Sequence, residues 1–339
     1  MYGEWAAAAE RAITIRHLRR VWGLPGTLLG RSGWPPSVNN RLYLRWNYWW
    51  QAHLLDCLID AQLRDPSAAR EARIDRFIAT VRLRNFGWTN RYYDDMAWLG
   101  LAMRRAGRDV EPILAELRGA WTPEGGGGIY WRKAARRVSV EGGGGLAGGG
   151  KNDRFKNAPS NGPAAILHAR VGETERAREL FSWLDSTLID PSTGLVWDGL
   201  RVDSGEFVKL IYTYCQGVFL GACLELSEMD AAARTVRAVA AHCAPGGVLV
   251  GQGGGDGGLF AGILARYLAL AANRLPAPES GTARDLVLTS ARAAWEGATD
   301  APGGPQFSSD WAKPAPDKDS RDLSVQLGAW MLLEAAATL

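Results

Sequence analysis

A chain of 339 residues with 47% hydrophobic content has enough apolar material for a large core. Its 39 basic and 36 acidic residues are interspersed and leave a net charge of +3, which argues against a nucleic-acid-binding surface as the main function. The unusual count is fifteen Trp, several beside polar residues (Trp46-Asn47, Trp131-Arg132, Trp197-Asp198, Asp310-Trp311), pairs suited to a cleft that both stacks and hydrogen-bonds a ligand.

In chain order, Met1 to Arg20 is Ala-rich and then mixed with Arg and His, with no long apolar run behind basic residues. That pattern predicts neither a signal peptide nor a membrane span, hence a cytoplasmic chain as it stands, or a secreted one whose leader has been removed. Residues 3–21 are expected to be helical, and 23–40 form a Gly/Pro-rich connection. From Leu42 to Ala61 the chain reads as a helix with an aromatic N-terminal end and a core stripe at Leu54, Leu55, Leu58 and Ile59. A helix over 66–83 precedes the stretch Asn90 to Ala102, and a short one over 111–117 follows it. Between Glu124 and Lys151 two Gly blocks flank a segment in which Ile129, Trp131, Val138 and Val140 alternate as in a small β-hairpin. Residues 124–151 therefore read as a flap or loop insertion at a cleft rim. Helices resume over 157–169, 173–186, 205–226, 229–242, 258–272, 282–296 and 324–337.

About a dozen helices without strands alternating between them indicate an all-α barrel or toroid. With no repeat of constant length and no low-complexity tail, residues 1–339 are read as one domain. Cys57, Cys215, Cys223 and Cys243 fall in apolar helical runs without C-x-x-C spacing, which predicts buried free thiols rather than a zinc site.

The stretch Asn90 to Ala102 carries the most chemistry. Asp94 and Asp95 stand between a Tyr pair and the apolar run Met96, Ala97, Leu99, Leu101, so both fall in the first turn of a buried helix. A helix N-terminus favours carboxylates, which leaves a capping role open. Trp88, Tyr92, Tyr93 and Trp98 supply flat faces on which sugar rings stack. On such a turn two adjacent carboxyls can come within the roughly 5 to 5.5 Å of a retaining glycosidase.

Three motifs mislead. Gly145 to Lys151 has the spacing of a phosphate-binding loop, but Asn152 follows instead of Ser or Thr. Gly253 to Gly258 fits G-x-G-x-x-G, but no second strand ending in an acid follows. Asp94-Asp95 begins like an acidic magnesium motif that Trp98 fails to complete. No metal or cofactor is implied.

Eight segments in order resemble glycoside hydrolase family 76, the α-1,6-mannanase family, over most of the chain. They are Tyr48 to His53, Tyr92 to Asp95, Gly126 to Trp131, Lys156 to Asn161, Gly194 to Asp198, Thr213 to Val218, Phe260 to Gly262 with Arg266-Tyr267, and Asp322 to Gln326. The resemblance implies an (α/α)6 barrel whose inner helices bring these segments to one open end. It implies a retaining double displacement on α-1,6-linked mannan or manno-oligosaccharide. The Ala, Gly and Arg-rich composition suggests a lipomannan-type glycan as one such substrate, and endo action is expected over exo action. Asp94 would be the nucleophile and Asp95 the acid/base.

The other matched residues suit a sugar cleft. Gln51, Asn157, Ser160, Asn161, Asp198, Tyr214 and Gln216 offer hydrogen bonds for hydroxyls, and Trp50, Tyr93, Trp131 and Trp197 offer stacking faces. Core packing or capping is an equally simple reading of each taken singly. Two departures stand out: Cys215 where the family has Asn, and Ala261 where it has Lys. The basic loop with Arg132, Lys133, Arg136 and Arg137 also exceeds the usual length. Transglycosylation and a non-catalytic mannan-binding role remain alternatives. A monomer is expected, without nucleic-acid partners.

Overall fold

A computed structural model describes residues 1–134 and 154–339. Its helices are α1 (Tyr2–Arg16), the single turn α2 (Val38–Arg41), α3 (Tyr48–Arg64), α4 (Ala68–Asn85), α5 (Tyr93–Arg105) and α6 (Glu111–Arg118). They continue as α7 (Ala158–Arg170), α8 (Thr174–Leu188), α9 (Thr213–Leu226), α10 (Met229–His242), α11 (Phe260–Arg274), α12 (Glu279–Glu296) and α13 (Leu323–Ala337). Two kinds of sequence pattern separate them. Met96 through Met103 of α5 and Leu323 through Ala336 of α13 are buried without interruption. A helix apolar on all sides must be covered all round. By contrast α10 buries only the stripe of Ala231, Ala232, Thr235, Val236, Ala238 and Val239, with Arg237 outside.

Packing follows from that difference. Helices α3, α5, α7, α9, α11 and α13 touch one another in this order, and α13 closes back on α3. The half-polar helices α1, α4, α6, α8, α10 and α12 pack against that ring, which completes the (α/α)6 barrel. Inner helices approach backbone to backbone where Gly allows it: a Cβ on Gly262 of α11 would lie 2.5 Å from the carbonyl oxygen of Gly328 on α13.

The fourth residue of four inner helices is a buried amide with one shared task. Gln216 accepts from the Val196 N–H (2.8 Å) and donates to the carbonyls of Val196 (2.9 Å) and Tyr212 (3.0 Å). Asn161 does the same with Ile129 (2.8 and 3.0 Å) and the Asn157 carbonyl (2.8 Å). Gln51 grips Gly30 and Trp46, and Gln326 grips Phe307 and Ser320. Each amide replaces the neighbour that a strand would have given the loop backbone.

At the other end of the ring, Asp56 and Asp60 of α3 pair with Arg105 of α5 and with Arg266 of α11 across the barrel. The four thiols are buried and free.

The strands are few. β1 (Leu18–Arg19) pairs with β2 (Leu29–Gly30), and β6 (Thr299–Ala301) with β7 (Gly304–Gln306). Between them β3 (Phe155–Asn157), β4 (Trp197–Arg201) and β5 (Glu206–Ile211) form an antiparallel sheet. The helix expected over 205–226 begins only at Thr213. The run Phe207, Val208, Lys209, Leu210 and Ile211, rich in β-branched and aromatic residues, lies along a largely exposed strand instead. In the expected hairpin, Val138 and Val140 lie outside the described residues, as do Arg136, Arg137 and the segment 145–151. Its first half is bridged elsewhere, Ile129 to Trp121, Tyr130 to Lys156 and Arg132 to Tyr92. Lys133 pairs with Glu116 at 2.8 Å.

Replacing a gripping amide leaves a buried N–H and carbonyl unsatisfied. Gln216→Leu is expected to lower unfolding stability by about 3 kcal/mol, read as a lower midpoint in urea denaturation.

Candidate active site

The N-terminal ends of α3, α5, α7, α9 and α11 open together on a cleft of about 860 Å³, a size that suits a short oligosaccharide. Tyr48 and Trp49 of α3, Asp94 and Asp95 of α5, Asn157 before α7, Tyr212 and Tyr214 at α9, and Asp256 and Phe260 at α11 line it. Their aromatic rings form one wall. Tyr214 stacks on Phe260 with centroids 3.9 Å apart and planes 8° from parallel, and Trp49 leans on both.

The two adjacent carboxyls meet different surroundings. Asp94 accepts the Trp131 indole N–H at 2.9 Å and the Asp95 backbone N–H at 2.9 Å. Asp95 receives the Asn90 amide at 2.6 Å. Burial pushes both carboxyls up, Asp94 to about 7. For Asp95 the charge of Asp94 adds to burial and carries it well above the usual carboxylate range. Donors aimed at Asp94 favour its ionised form, so of the pair Asp95 is the better holder of a proton.

A third carboxylate faces the pair. Asp256 accepts the indole N–H groups of Trp49 (3.0 Å) and Trp50 (2.8 Å), and its charge raises both Asp94 and Asp95. Its loop is fixed by Gly254 N–H to Asp319 (3.0 Å) and Gly255 N–H to Asp322 (2.7 Å). A Cβ on Gly257 would stand 2.1 Å from the Gln252 carbonyl oxygen. The G-x-G-x-x-G glycines thus shape a held turn at the cleft wall. Asp198, also on the cleft, is raised by burial to about 6. Among the described residues no group of three or more His, Cys, Asp or Glu could hold a metal ion.

Of the residues expected to hold sugar, Trp131, Asn157, Asp198 and Tyr214 line the cleft beside the pair. Gln51, Asn161 and Gln216 do not. They are fully buried, and their amides hold loop backbone; only burial separates that role from hydroxyl binding, since the hydrogen-bonding groups are identical. Ser160 is buried in α7, with its N–H capped by Asn157 at 3.2 Å. Trp50 lies beneath the wall holding Asp256, and Tyr93 packs on the core with its N–H on the Trp131 carbonyl. Trp197 packs against Phe207 with the Lys209 ammonium over its ring. Cys215 and Ala261 are buried. The residues that sequence reasoning passed over are Asn90, Trp49, Tyr212, Asp256 and Phe260. An acid inside a glycine run just before an apolar helix was the available signal for Asp256.

Neighbouring carboxyls of unequal proton affinity are what cleavage of a glycosidic bond requires, and the barrel presents them where a sugar chain can lie. By fold and site the protein falls in the class of glycoside hydrolases. The pattern of glycosyl hydrolase family 76 matches residues 7–338, and the chain belongs to that family. It is similar to the solved α-1,6-mannanase of Salegentibacter sp. HEL1_6, with 30% identity over 99% of both chains and a TM-score of 0.84. An inactive variant of that enzyme with two adjacent aspartates replaced by asparagine, in complex with α-1,6-mannotriose, matches at 29% identity over 99% of both chains with a TM-score of 0.83. The Lin0763 protein of Listeria innocua matches at 26% identity over 99% of this chain and 97% of its own, with a TM-score of 0.83. No curated protein matches the chain.

Carboxyl titration by NMR checks the electrostatics. Trp131→Phe removes a donor to ionised Asp94 and is expected to raise its titration by about one pKa unit, whereas Asp256→Asn removes a like charge and lowers both titrations.

Proposed function

We propose that the protein is a retaining α-mannan hydrolase that cleaves α-1,6 linkages by double displacement. The observation that carries this reading is the inequality of Asp94 and Asp95 within one aromatic cleft. Asp94, held by two donors as the anion, attacks the anomeric carbon while Asp95 passes its proton to the leaving oxygen. The products of this step are a mannosyl ester on Asp94 and a shortened chain. Asp95, now ionised, takes a proton from water, whose oxygen displaces Asp94 and restores both groups. Trp131 supports the carboxylate that leaves, and Asn90 orients the acid.

The relative whose adjacent aspartate pair was replaced is inactive and is held with α-1,6-mannotriose, which supports both the linkage and the pair. Helix α5 stands between α3 and α7 in the ring, so Tyr48 and Trp49 flank the carboxyls on one side and Asn157 on the other. Contacts on both sides favour cutting within a chain over trimming its end.

The test uses linear α-1,6-mannan and α-1,6-mannotetraose, with products resolved by mass spectrometry and the first anomer read by NMR. Native protein is expected to release shortened α-anomers, and Asp94→Asn to lower the rate at least about a thousandfold with its fold and mannotetraose binding kept. A β-anomer released first would remove retention; unchanged turnover in Asp94→Asn would remove the nucleophile. Binding without turnover in the native protein would leave a mannan-binding role.

A further inference from the structure

The small net charge conceals an uneven distribution. Residues 11–55 hold seven Arg and no Asp or Glu, and residues 76–93 hold four more Arg and no acid. With eleven of the 39 basic residues there and none of the 36 acidic ones, the rest of the chain has a net charge of −8. The interspersed charge read from composition holds only outside these stretches.

The fold puts the two stretches together. Leu28 N–H donates to the Thr80 hydroxyl of α4 at 2.9 Å. Arg84 of α4 donates to the Tyr43 carbonyl at 3.0 Å and lies over the rings of Trp22 and Trp46. Arg20, Arg41, Arg45, Arg76, Arg82 and Arg91 are exposed around this junction. Among the described residues none of the eleven arginines is seen in an ion pair, whereas Arg64, Arg70, Arg105, Arg118, Arg234 and Arg266 elsewhere all are.

The same stretches expose apolar side chains. Phe86 is 95% exposed, Leu44 64%, Leu83 60% and Trp22 58%. Trp22 and Phe86 stand in left-handed backbone at φ 50° and 55°, where bulky residues are rare. A polyanionic ligand would account for the arginines but not for these rings. Apolar side chains among unpaired cations match a bilayer interface, whose headgroup region takes rings and alkyl groups while its phosphates meet guanidinium.

We propose that this face docks on an anionic lipid bilayer, with Phe86, Leu83, Trp22 and Leu44 entering the headgroup region and the arginines around them meeting lipid phosphate. No helix among the described residues is long and apolar enough to cross a membrane; the contact is a surface one. The face borders the cleft: Arg82 lies over the Trp88 ring, the Trp88 carbonyl accepts the Tyr48 hydroxyl at 2.6 Å, and Tyr48 lines the cleft. A glycan rooted in the bilayer would therefore reach Asp94 and Asp95 from the docked protein. Only this choice of substrate rests on the hydrolase reading; docking itself does not.

The test is co-sedimentation of the full chain with vesicles of phosphatidylcholine alone and of equimolar phosphatidylcholine and phosphatidylglycerol. Binding is expected to the mixed vesicles only, weakened by salt. The double variants Phe86→Ser with Leu44→Ser, and Arg45→Glu with Arg82→Glu, are each expected to lose at least about tenfold in partitioning. Both should keep native hydrolysis of soluble mannotetraose, which also shows that they are folded. Absence of native protein from the mixed-vesicle pellet at low salt overturns the proposal. So does capture by dextran sulfate combined with vesicle binding that Phe86→Ser with Leu44→Ser leaves intact, since that marks a polyanion site. Native protein that binds vesicles but leaves mannotetraose uncut would instead sink the hydrolase reading alone.

Discussion

A buried amide gripping a loop peptide is the interaction on which the site depends. Loops that run into the top of a helical barrel carry N–H and carbonyl groups that lack a strand partner and cannot be left unmet away from water. Gln51, Asn161, Gln216 and Gln326 answer both needs at once from the same helical position, each with a donor and an acceptor spaced like those of a peptide. The consequence reaches the chemistry within a few bonds. Asn161 fixes Ile129, two residues from Trp131, whose indole holds Asp94. Gln216 fixes Val196, two residues from Asp198 on the cleft wall. At the opposite end Asp56, Asp60, Arg105 and Arg266 tie α3 to α5 and α11. The apolar middle of the ring gains its stability from burial, and its polar ends gain register.

This interaction also explains what the sequence made legible and what it hid. Outer helices such as Met229–His242 were readable to the residue, because one buried stripe and one charged face leave a helical period. The place of Asp94 and Asp95 in the first turn of a buried helix was legible because two acids directly precede an apolar run. The amides read equally as sugar ligands, since hydroxyl binding and backbone binding call for the same side chain, and pattern carries no sign of depth. The sheet strand Glu206–Ile211 reads as helix in sequence because both its faces are largely exposed and no burial alternation marks it. The barrel's internal repeat is masked in the sequence for a related reason. The intervals between the four amides are multiples of one length, but the loops before α5 and α11 put Met96 and Ile263 at the fourth position and throw the pattern out of step.

The barrel also has to hold carboxyls where burial disfavours their charge. Asp94, Asp95, Asp198 and Asp256 share one cleft, and burial raises Asp94, Asp95 and Asp198. Five inner helices point their N-terminal ends at this cleft, and the partial positive charge there is what a converging acidic set needs. That general support does not separate Asp94 from Asp95, which occupy the same turn. The separation comes from single donors: two on Asp94, one of them an indole brought by the loop that Asn161 fixes, against one amide on Asp95. The difference in proton affinity between two identical residues is thus set by their immediate donors.

The polarity of the whole molecule runs the same way. Acids gather at the cleft and along the rest of the barrel, while the segment before α3 and the end of α4 are left with arginine alone. An ion-paired surface would have neutralised those arginines locally, as it does for Arg118 with Glu111 and Glu173. Because exposed pairs contribute little to stability, leaving the exposed Arg20, Arg41, Arg45, Arg76, Arg82 and Arg91 without an acid costs the fold little. The same choice gives one face a positive field that falls off over about 10 Å at ordinary ionic strength, enough to orient the protein as it nears an anionic surface. Beside that face, within reach of Trp88 and Tyr48, opens the cleft. An orientation set by field and a site set by amide-held loops meet at one rim, so a chain leaving the surface enters where the carboxyls wait.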